Sequence, residues 1–212
     1  MANRTWKSIL VKKILLEDPA RAWSIMDLSS AAIISKTYCN TQVKELVDEG
    51  IVSRVGRNTI MLTDAGRLRI SLENSHGVLE GLYYFTPEAP KFCAKRIDEV
   101  AKRLGRQYSI TGELGLWSYY QHVQPLVVQV YVKRSERELW ENVLEHDLKY
   151  YPCPPNRATL ILLPTNDPYP FMRLGNYDGY MFPQFIQVYL DCFVLGGRLS
   201  EGAKEAWKSI RG

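Results

Sequence analysis

Residues 23–52 read WSIMDLSSAAIISKTYCNTQVKELVDEGIV, and the organisation of the chain is best approached from this stretch. Two helical patterns share it, roughly Asp27 to Ile34 and Lys36 to Glu49, with a tight turn at Ser35 between them. Gly50 sits where a glycine closes a helix. Placing residues about 100° apart along the second helix gathers Cys39, Val43, Leu46 and Val47 on one side, which reads as the core face. Thr37, Asn40, Thr41 and Lys44 gather on the opposite side. That outer face is small, polar and dense in hydrogen-bonding groups near the helix N-terminus, where backbone N–H groups and the helix dipole favour phosphate. Asp48 continues it only at the far end, where an acid can point away from a polyanion.

Outward from this pair, Ile51–Val55 and Thr59–Leu62 are strand-like and are joined by Gly56, Arg57 and Asn58, which have hairpin-turn chemistry. Upstream, Trp6, Ile9, Leu10, Val11, Ile14 and Leu15 form a helical stripe that stops at Glu17, Asp18 and Pro19, and a short segment, Ala22 to Ile25, follows. This ordered set resembles a winged helix-turn-helix, with the second helix of the pair as recognition helix and the hairpin as wing. Asn40 is the residue suited to reading a base, because one amide donates and accepts at once, as the major-groove edge of adenine requires. Thr37 and Thr41 suit thymine methyls or phosphates, and Lys36 and Lys44 suit phosphates. Arg54, Arg57 and Asn58 would reach backbone or minor groove from the wing, and Tyr38 completes the expected DNA-binding set. The same fold also serves protein contacts, and that reading stays open.

The chain has 212 residues and a formal net charge of +4, too small an excess to attract nucleic acid as a whole. Residues 1–75 hold 11 basic and 8 acidic side chains against 16 and 15 in the remainder, so most of the excess lies with the helix pair. Cys39, Cys93, Cys153 and Cys192 form no CxxC pair, and His76, His122 and His146 add no zinc-type spacing. Buried free thiols in a reducing cytoplasm are expected, with no metal and no cofactor. The N-terminal apolar stretch is broken by Lys12 and Lys13, which is wrong for a signal peptide, and the uncharged run from Leu114 to Val132 is too polar to span a membrane.

The domain boundary is expected near residue 75, giving a winged-helix domain over 1–75 and a second domain over 76–212. Thr63 to Gly66 can cap a further helix, and residues 71–90 read as a polar, proline-containing connection in which Leu79–Thr86 is a candidate first strand of the second domain. Beyond it, helices are expected over Lys91–Leu104, Glu136–Leu144 and Gln184–Leu195, with a closing helix after Gly196 and Gly197. Strands are expected at Tyr108–Thr111, Leu126–Val132, Lys149–Tyr151 and Ala158–Leu163. Alternating helices and strands make this domain α/β or α+β with a mixed sheet, hence an α/β (α+β) fold class for the chain.

No residue set reads as catalytic. Glu145, His146 and Asp147 are consecutive, and neighbouring side chains on a helix diverge. The chain has no GxSxG, P-loop, HExxH or dinucleotide-binding glycine pattern. A metal-dependent nuclease could draw on Asp167, Asp178 and Glu113 with Lys133, though not as a compact motif. Lys95, Arg96, Lys102, Arg103 and Arg106 make a basic face that would be solvated by default, or would hold nucleic acid or an acidic partner. The tyrosine-rich stretches Tyr83–Phe85, Tyr119–Tyr120, Tyr150–Tyr151 and Tyr177–Phe185 read singly as core and together as containing a partner surface.

The helix pair and hairpin, then Leu62–Asp64, Tyr83–Thr86, Tyr108–Gly115, Pro183–Asp191 and Gly196–Ala203, resemble in order the AbiEi-like antitoxins, transcriptional regulators of type IV toxin–antitoxin systems. The resemblance implies a winged helix that represses its own operon on double-stranded operator DNA at repeated or inverted sites, and a second domain that counters a nucleotidyltransferase toxin without necessarily binding it stably. Operator symmetry would suit a homodimer, although a half-site needs only one winged helix. It implies that Thr37, Asn40, Thr41 and Lys44 read DNA. It also makes Thr111-Gly112 a turn, and Gly197, Arg198 and Glu201 a capped helix with a local Arg–Glu pair.

Overall fold

Helix α1 (Trp6–Glu17) stops before Pro19 and buries Leu10, Val11, Ile14, Leu15 and Leu16. It belongs to the first of two compact units, which ends at His76, while the second begins at Gly77. The structure, a computed structural model, describes residues 6–121 and 123–211, so His122 lies outside the described residues. The chain is a mixed α/β (α+β) fold, as the alternation of helical and strand patterns requires.

In the first unit, β1 (Trp23–Ser24), α2 (Ile25–Ala31), α3 (Lys36–Asp48), β2 (Val52–Arg54), β3 (Thr59–Leu62) and α4 (Ala65–Glu73) follow α1. The three strands form one antiparallel sheet in the order β1-β3-β2, with Trp23 opposite Ile60 and Val52 opposite Leu62. Leu28, Ala32, Cys39, Val43, Leu46, Ile60, Leu68 and Leu72 are buried, so helices and sheet share a core. Helix α2 begins at Ile25, earlier than its pattern suggests, because Ser24 caps it by accepting the Asp27 N–H at 3.0 Å and donating to its carboxyl at 2.8 Å. It ends at Ala31 because Ile33 takes a left-handed φ of 53°. The turn therefore falls on Ile33, and Ser35, expected as the turn residue, caps α3 instead. Asp64 caps α4 through the Arg67 N–H at 2.8 Å, and α4 absorbs residues 71–73, which had read as connection.

The second unit runs β4 (Leu82–Phe85), α5 (Pro90–Leu104), β5 (Tyr108–Thr111), α6 (Gly112–Tyr119), β6 (Val128–Lys133), α7 (Arg137–Asn142), β7 (Tyr151–Pro152), β8 (Leu160–Thr165), β9 (Gly175–Tyr177), β10 (Tyr180–Phe182), α8 (Phe185–Leu195) and α9 (Gly197–Arg211). Five strands form a sheet in the order β5-β6-β8-β4-β7, in which β6 and β8 are parallel and the other pairs antiparallel. Ile110, Val130, Val132, Leu160 and Leu162 join Cys93, Ala94, Ile97, Val100 and Ala101 of α5 and Trp140 of α7 in one core. Alternate residues, Thr111 and Tyr131 among them, reach α8 on the opposite face. The β7 edge pairs only Tyr151 and Pro152 with β4, and the Cys153 N–H donates to the Tyr83 carbonyl at 3.0 Å.

Helix α6 and the β9–β10 hairpin were not foreseen from the pattern. The hairpin turns on Asp178 at φ 55° and Gly179 at φ 89°, the two left-handed positions that an Asp-Gly pair accepts most readily. Among the described residues, no helix is long and apolar enough to cross a membrane.

Candidate nucleic-acid interface

Cys39, Val43 and Leu46 are buried on one face of α3, and Val47 is half-buried beside them. Burying a side chain such as Val43 contributes about 1.5–3 kcal/mol, which fixes the helix in rotation and so fixes what points outward. Burial also pushes the Cys39 thiol up to about 11. Lys36, Thr37, Asn40, Thr41 and Lys44 are all exposed on the other face. Ser35 accepts the Tyr38 N–H at 3.3 Å, leaving the N–H groups at the very start of α3 directed out of the helix. The Thr41 hydroxyl donates back to the Thr37 carbonyl at 3.2 Å, a bond that orients its side chain along the outer face. The Asn40 amide has no hydrogen-bond partner among the described residues, so its donor and acceptor are both open. Tyr38 differs from these residues: it is half-buried and engaged in contacts within the chain.

The hairpin is held by its own ladder, with Arg54 opposite Ile60 and the Val55 N–H donating to the Thr59 carbonyl at 3.0 Å. Its tip is tied to the start of α2, where the Ile25 N–H donates to the Asn58 carbonyl at 3.2 Å. Arg54, Arg57 and Asn58 are exposed on this anchored tip. The exposed acids Glu45 and Asp48 of α3 and its C-cap Glu49 lie toward the C-terminal end, beside Lys44, so positive charge from Lys36 and the helix dipole stands uncompensated at the N-terminal end.

The basic helix of the second unit is built differently. Arg96 pairs with Glu88 at 2.8 Å, Lys102 with Asp98 at 2.5 Å, Arg103 with Asp147 at 2.6 Å and Arg106 with Glu136 at 3.4 Å. Only Lys95 of the expected basic set is left without a carboxylate among the described residues. Such a face presents little net field to a polyanion. Glu145, His146 and Asp147 sit in the π-helical turn after α7 and go separate ways. Glu145 accepts the Tyr84 hydroxyl at 3.4 Å, His146 contacts the Asn142 carbonyl at 3.1 Å, and Asp147 takes Arg103.

The short motifs at 108–115, 183–191 and 196–203 meet in space. The Asp191 carboxyl is fully buried and accepts the Thr111 hydroxyl at 2.5 Å, the Tyr131 hydroxyl at 2.8 Å and the Gln187 amide at 2.8 Å. Burial, and then the neighbouring Asp191, hold the Tyr131 hydroxyl well above its usual range. Gly112 has φ 59° and opens α6, and a Cβ there would drive into the Gln129 side chain, whose oxygen accepts the Glu113 N–H at 3.1 Å. Arg198 pairs with the buried Glu113 at 2.9 Å, where a local pair with Glu201 had been expected. Glu113 also accepts the Leu126 and Val127 N–H groups, at 2.5 and 3.1 Å, so its carboxyl is consumed by structure.

The carboxylates considered for a nuclease do not converge. Asp178 sits in the β9–β10 turn, 4.0 Å from Lys91, while Asp167 and Lys133 line a cleft at the end of β6 and β8. Among the described residues, no group of three or more His, Cys, Asp or Glu side chains is placed to hold a metal ion. The tyrosine-rich stretches are divided: Tyr84, Tyr150, Tyr180 and Phe182 are core, whereas Phe85 and Tyr151 are exposed. That cleft went unnoticed in the sequence because it depends on β6 and β8 being parallel neighbours, which no local pattern encodes.

The chain matches no protein-family model and no curated protein sequence.

Proposed function

We propose that the first unit is a winged helix that binds double-stranded DNA, and that the chain is a transcriptional regulator acting by occupying operator DNA. The observation that carries this reading is the outer face of α3, where the unpartnered Asn40 amide stands among Thr37, Thr41, Lys36 and Lys44. A helix of this kind enters the major groove with its N-terminal residues on base edges, Asn40 on adenine and the lysines on phosphates. The wing residues Arg54, Arg57 and Asn58 then follow the backbone or the adjacent minor groove. Lys36 or Arg54, Arg57 and Lys44 together would release counterions, so affinity falls steeply with salt. The antitoxin context, with a nucleotidyltransferase toxin as functional partner and a cytoplasmic setting, rests on the family resemblance and on four free thiols.

The test is a mobility-shift titration of the full chain on DNA from upstream of its own coding sequence, at several salt concentrations. Specific, salt-dependent binding is the expected result, with Lys44→Ala weakening all sequences alike and lowering the salt slope by about 1. Absence of binding at low salt overturns the proposal. It would favour a second reading, in which the same face docks a protein, a use supported by the apolar Met26 and Ile33 at 63% and 72% exposure beside α3.

A further inference from the structure

We propose that the cleft at the carboxyl ends of β6 and β8 binds a small phosphate monoester of mononucleotide size. The strands run parallel to a last register pair, Lys133 opposite Thr165, and there both chains leave the sheet. After β6 the chain enters a 3₁₀ turn at Arg134–Glu136, and after β8 it enters the loop leading to Tyr169–Phe171. Diverging connections at the carboxyl ends of parallel strands open a crevice, which is where open α/β sheets bind ligands. Here the crevice measures about 420 Å³, within the range of small-molecule sites.

Its lining divides by chemistry. Lys133 and Arg134 are consecutive cations that face the cleft and have no carboxylate partner among the described residues. The contrast with α5 is direct, since three of the cations there, and Arg106 just after it, are already paired. One carboxylate, Asp167, lines the same cleft and accepts the Tyr169 N–H, so the lining keeps an excess of one cation that calls for an anion, and the guanidinium fork of Arg134 matches two phosphate oxygens. Phe171, half-buried, also lines the cleft, an apolar surface that a bare phosphate would leave unused and a flat base would cover. Gln107 and Asn166 supply amide groups to the lining, able to donate to or accept from sugar hydroxyls and base edges.

The loop that carries half of this lining is preformed. The Asp167 N–H donates to the Thr165 hydroxyl at 3.0 Å, and the Tyr169 N–H donates to the Asp167 carboxyl at 2.9 Å. Tyr169 itself is fully buried and pins the loop to the unit. A site built in advance loses little affinity to ordering on binding. The inference uses the second unit alone and stands whether or not the first unit binds DNA.

Calorimetric titration of the full chain with AMP, CMP, ribose 5-phosphate, inorganic phosphate and adenosine tests it. Either mononucleotide should bind with a millimolar or lower dissociation constant, ribose 5-phosphate several-fold more weakly and phosphate more weakly again, while adenosine should give no signal. Arg134→Gln, an exposed position at which folding is safe, should weaken AMP roughly tenfold, as loss of a charge-assisted pair does. Lys133→Gln should act alike where circular dichroism shows it folded, and Phe171→Ala should weaken AMP without changing phosphate. The proposal is overturned by silence of both mononucleotides at millimolar concentration, by adenosine binding as tightly as AMP, or by Arg134→Gln leaving AMP affinity unchanged. Inorganic phosphate binding as tightly as AMP would overturn the monoester assignment and leave a free-anion site.

Discussion

α3 and α5 are both amphipathic helices with cations on the outer face, yet their polar groups meet opposite fates. On α3 the Asn40 amide and the lysines Lys36 and Lys44 have no side-chain partner among the described residues. On α5 three cations, Arg96, Lys102 and Arg103, are paired at 2.5 to 2.8 Å with Glu88, Asp98 and Asp147, and Arg106 just beyond the helix pairs with Glu136 at 3.4 Å. The second unit repeats this habit in its interior, where Asp191 gathers Thr111, Tyr131 and Gln187. The lesson is that counting cations along a helix says little about what it binds. What matters is whether neighbouring elements have already satisfied them.

The strongest way to sharpen this contrast is to remove a satisfied group from the interior. Asp191→Ala removes the acceptor of the buried Thr111 and Tyr131 hydroxyls and one of two acceptors of the Gln187 amide, and should destabilise the second unit by about 3–5 kcal/mol, read by urea unfolding. A loss under about 1 kcal/mol would mean that the cluster is not the structural knot described above. Next in size is an open group: Asn40→Ala should cost about 1–3 kcal/mol of DNA affinity and relax preference at one base position, without moving the unfolding midpoint. If affinity and preference both survive, the open face of α3 is not a reader.

A smaller effect of opposite sign is expected at the turn that aims α3. Ile33 is a β-branched residue at φ 53°, where a left-handed backbone costs roughly 1–2 kcal/mol. Ile33→Gly relieves that strain against a backbone-entropy loss of roughly 0.5–1 kcal/mol, so a net gain of about 1 kcal/mol or less should appear as a rise of a few degrees in Tm. A fall in Tm would show that the exposed isoleucine makes a contact worth more than the strain. Least of all should happen at Arg103→Gln on α5, since an exposed pair contributes about 0–1 kcal/mol. DNA affinity should stay within about twofold, and a larger drop would erase the distinction between the two helices.

The parts of the fold that were legible in the sequence are those with a contrast between two faces. α3 and α5 each alternate apolar and polar residues with a helical period, and each buries the side that period selects. α6 has no such contrast, because Leu114, Gly115 and Leu116 are all buried and the helix starts from a glycine at positive φ. The β9–β10 hairpin did carry a local signal, Asp178-Gly179 between two tyrosines, but it lies in a loop-like stretch with strands of three residues. On the candidate interface, exposure of Asn40, Thr37, Thr41 and the lysines followed from the period, whereas the partial burial of Tyr38 did not. The pairing of Arg198 with Glu113, and the cleft beside Lys133, come from chain segments far apart in sequence and meet only through the sheet order.

The short β7 strand has a consequence for how the protein behaves in a crowded solution. Because the Cys153 N–H turns inward to Tyr83, residue 152 is the one whose amide would point away from the sheet, and that residue is a proline with no hydrogen to offer. A foreign strand arriving at this border would find a missing donor where its ladder should begin. The border thus resists runaway strand addition, and the unit carries at this edge a built-in guard against fibre growth.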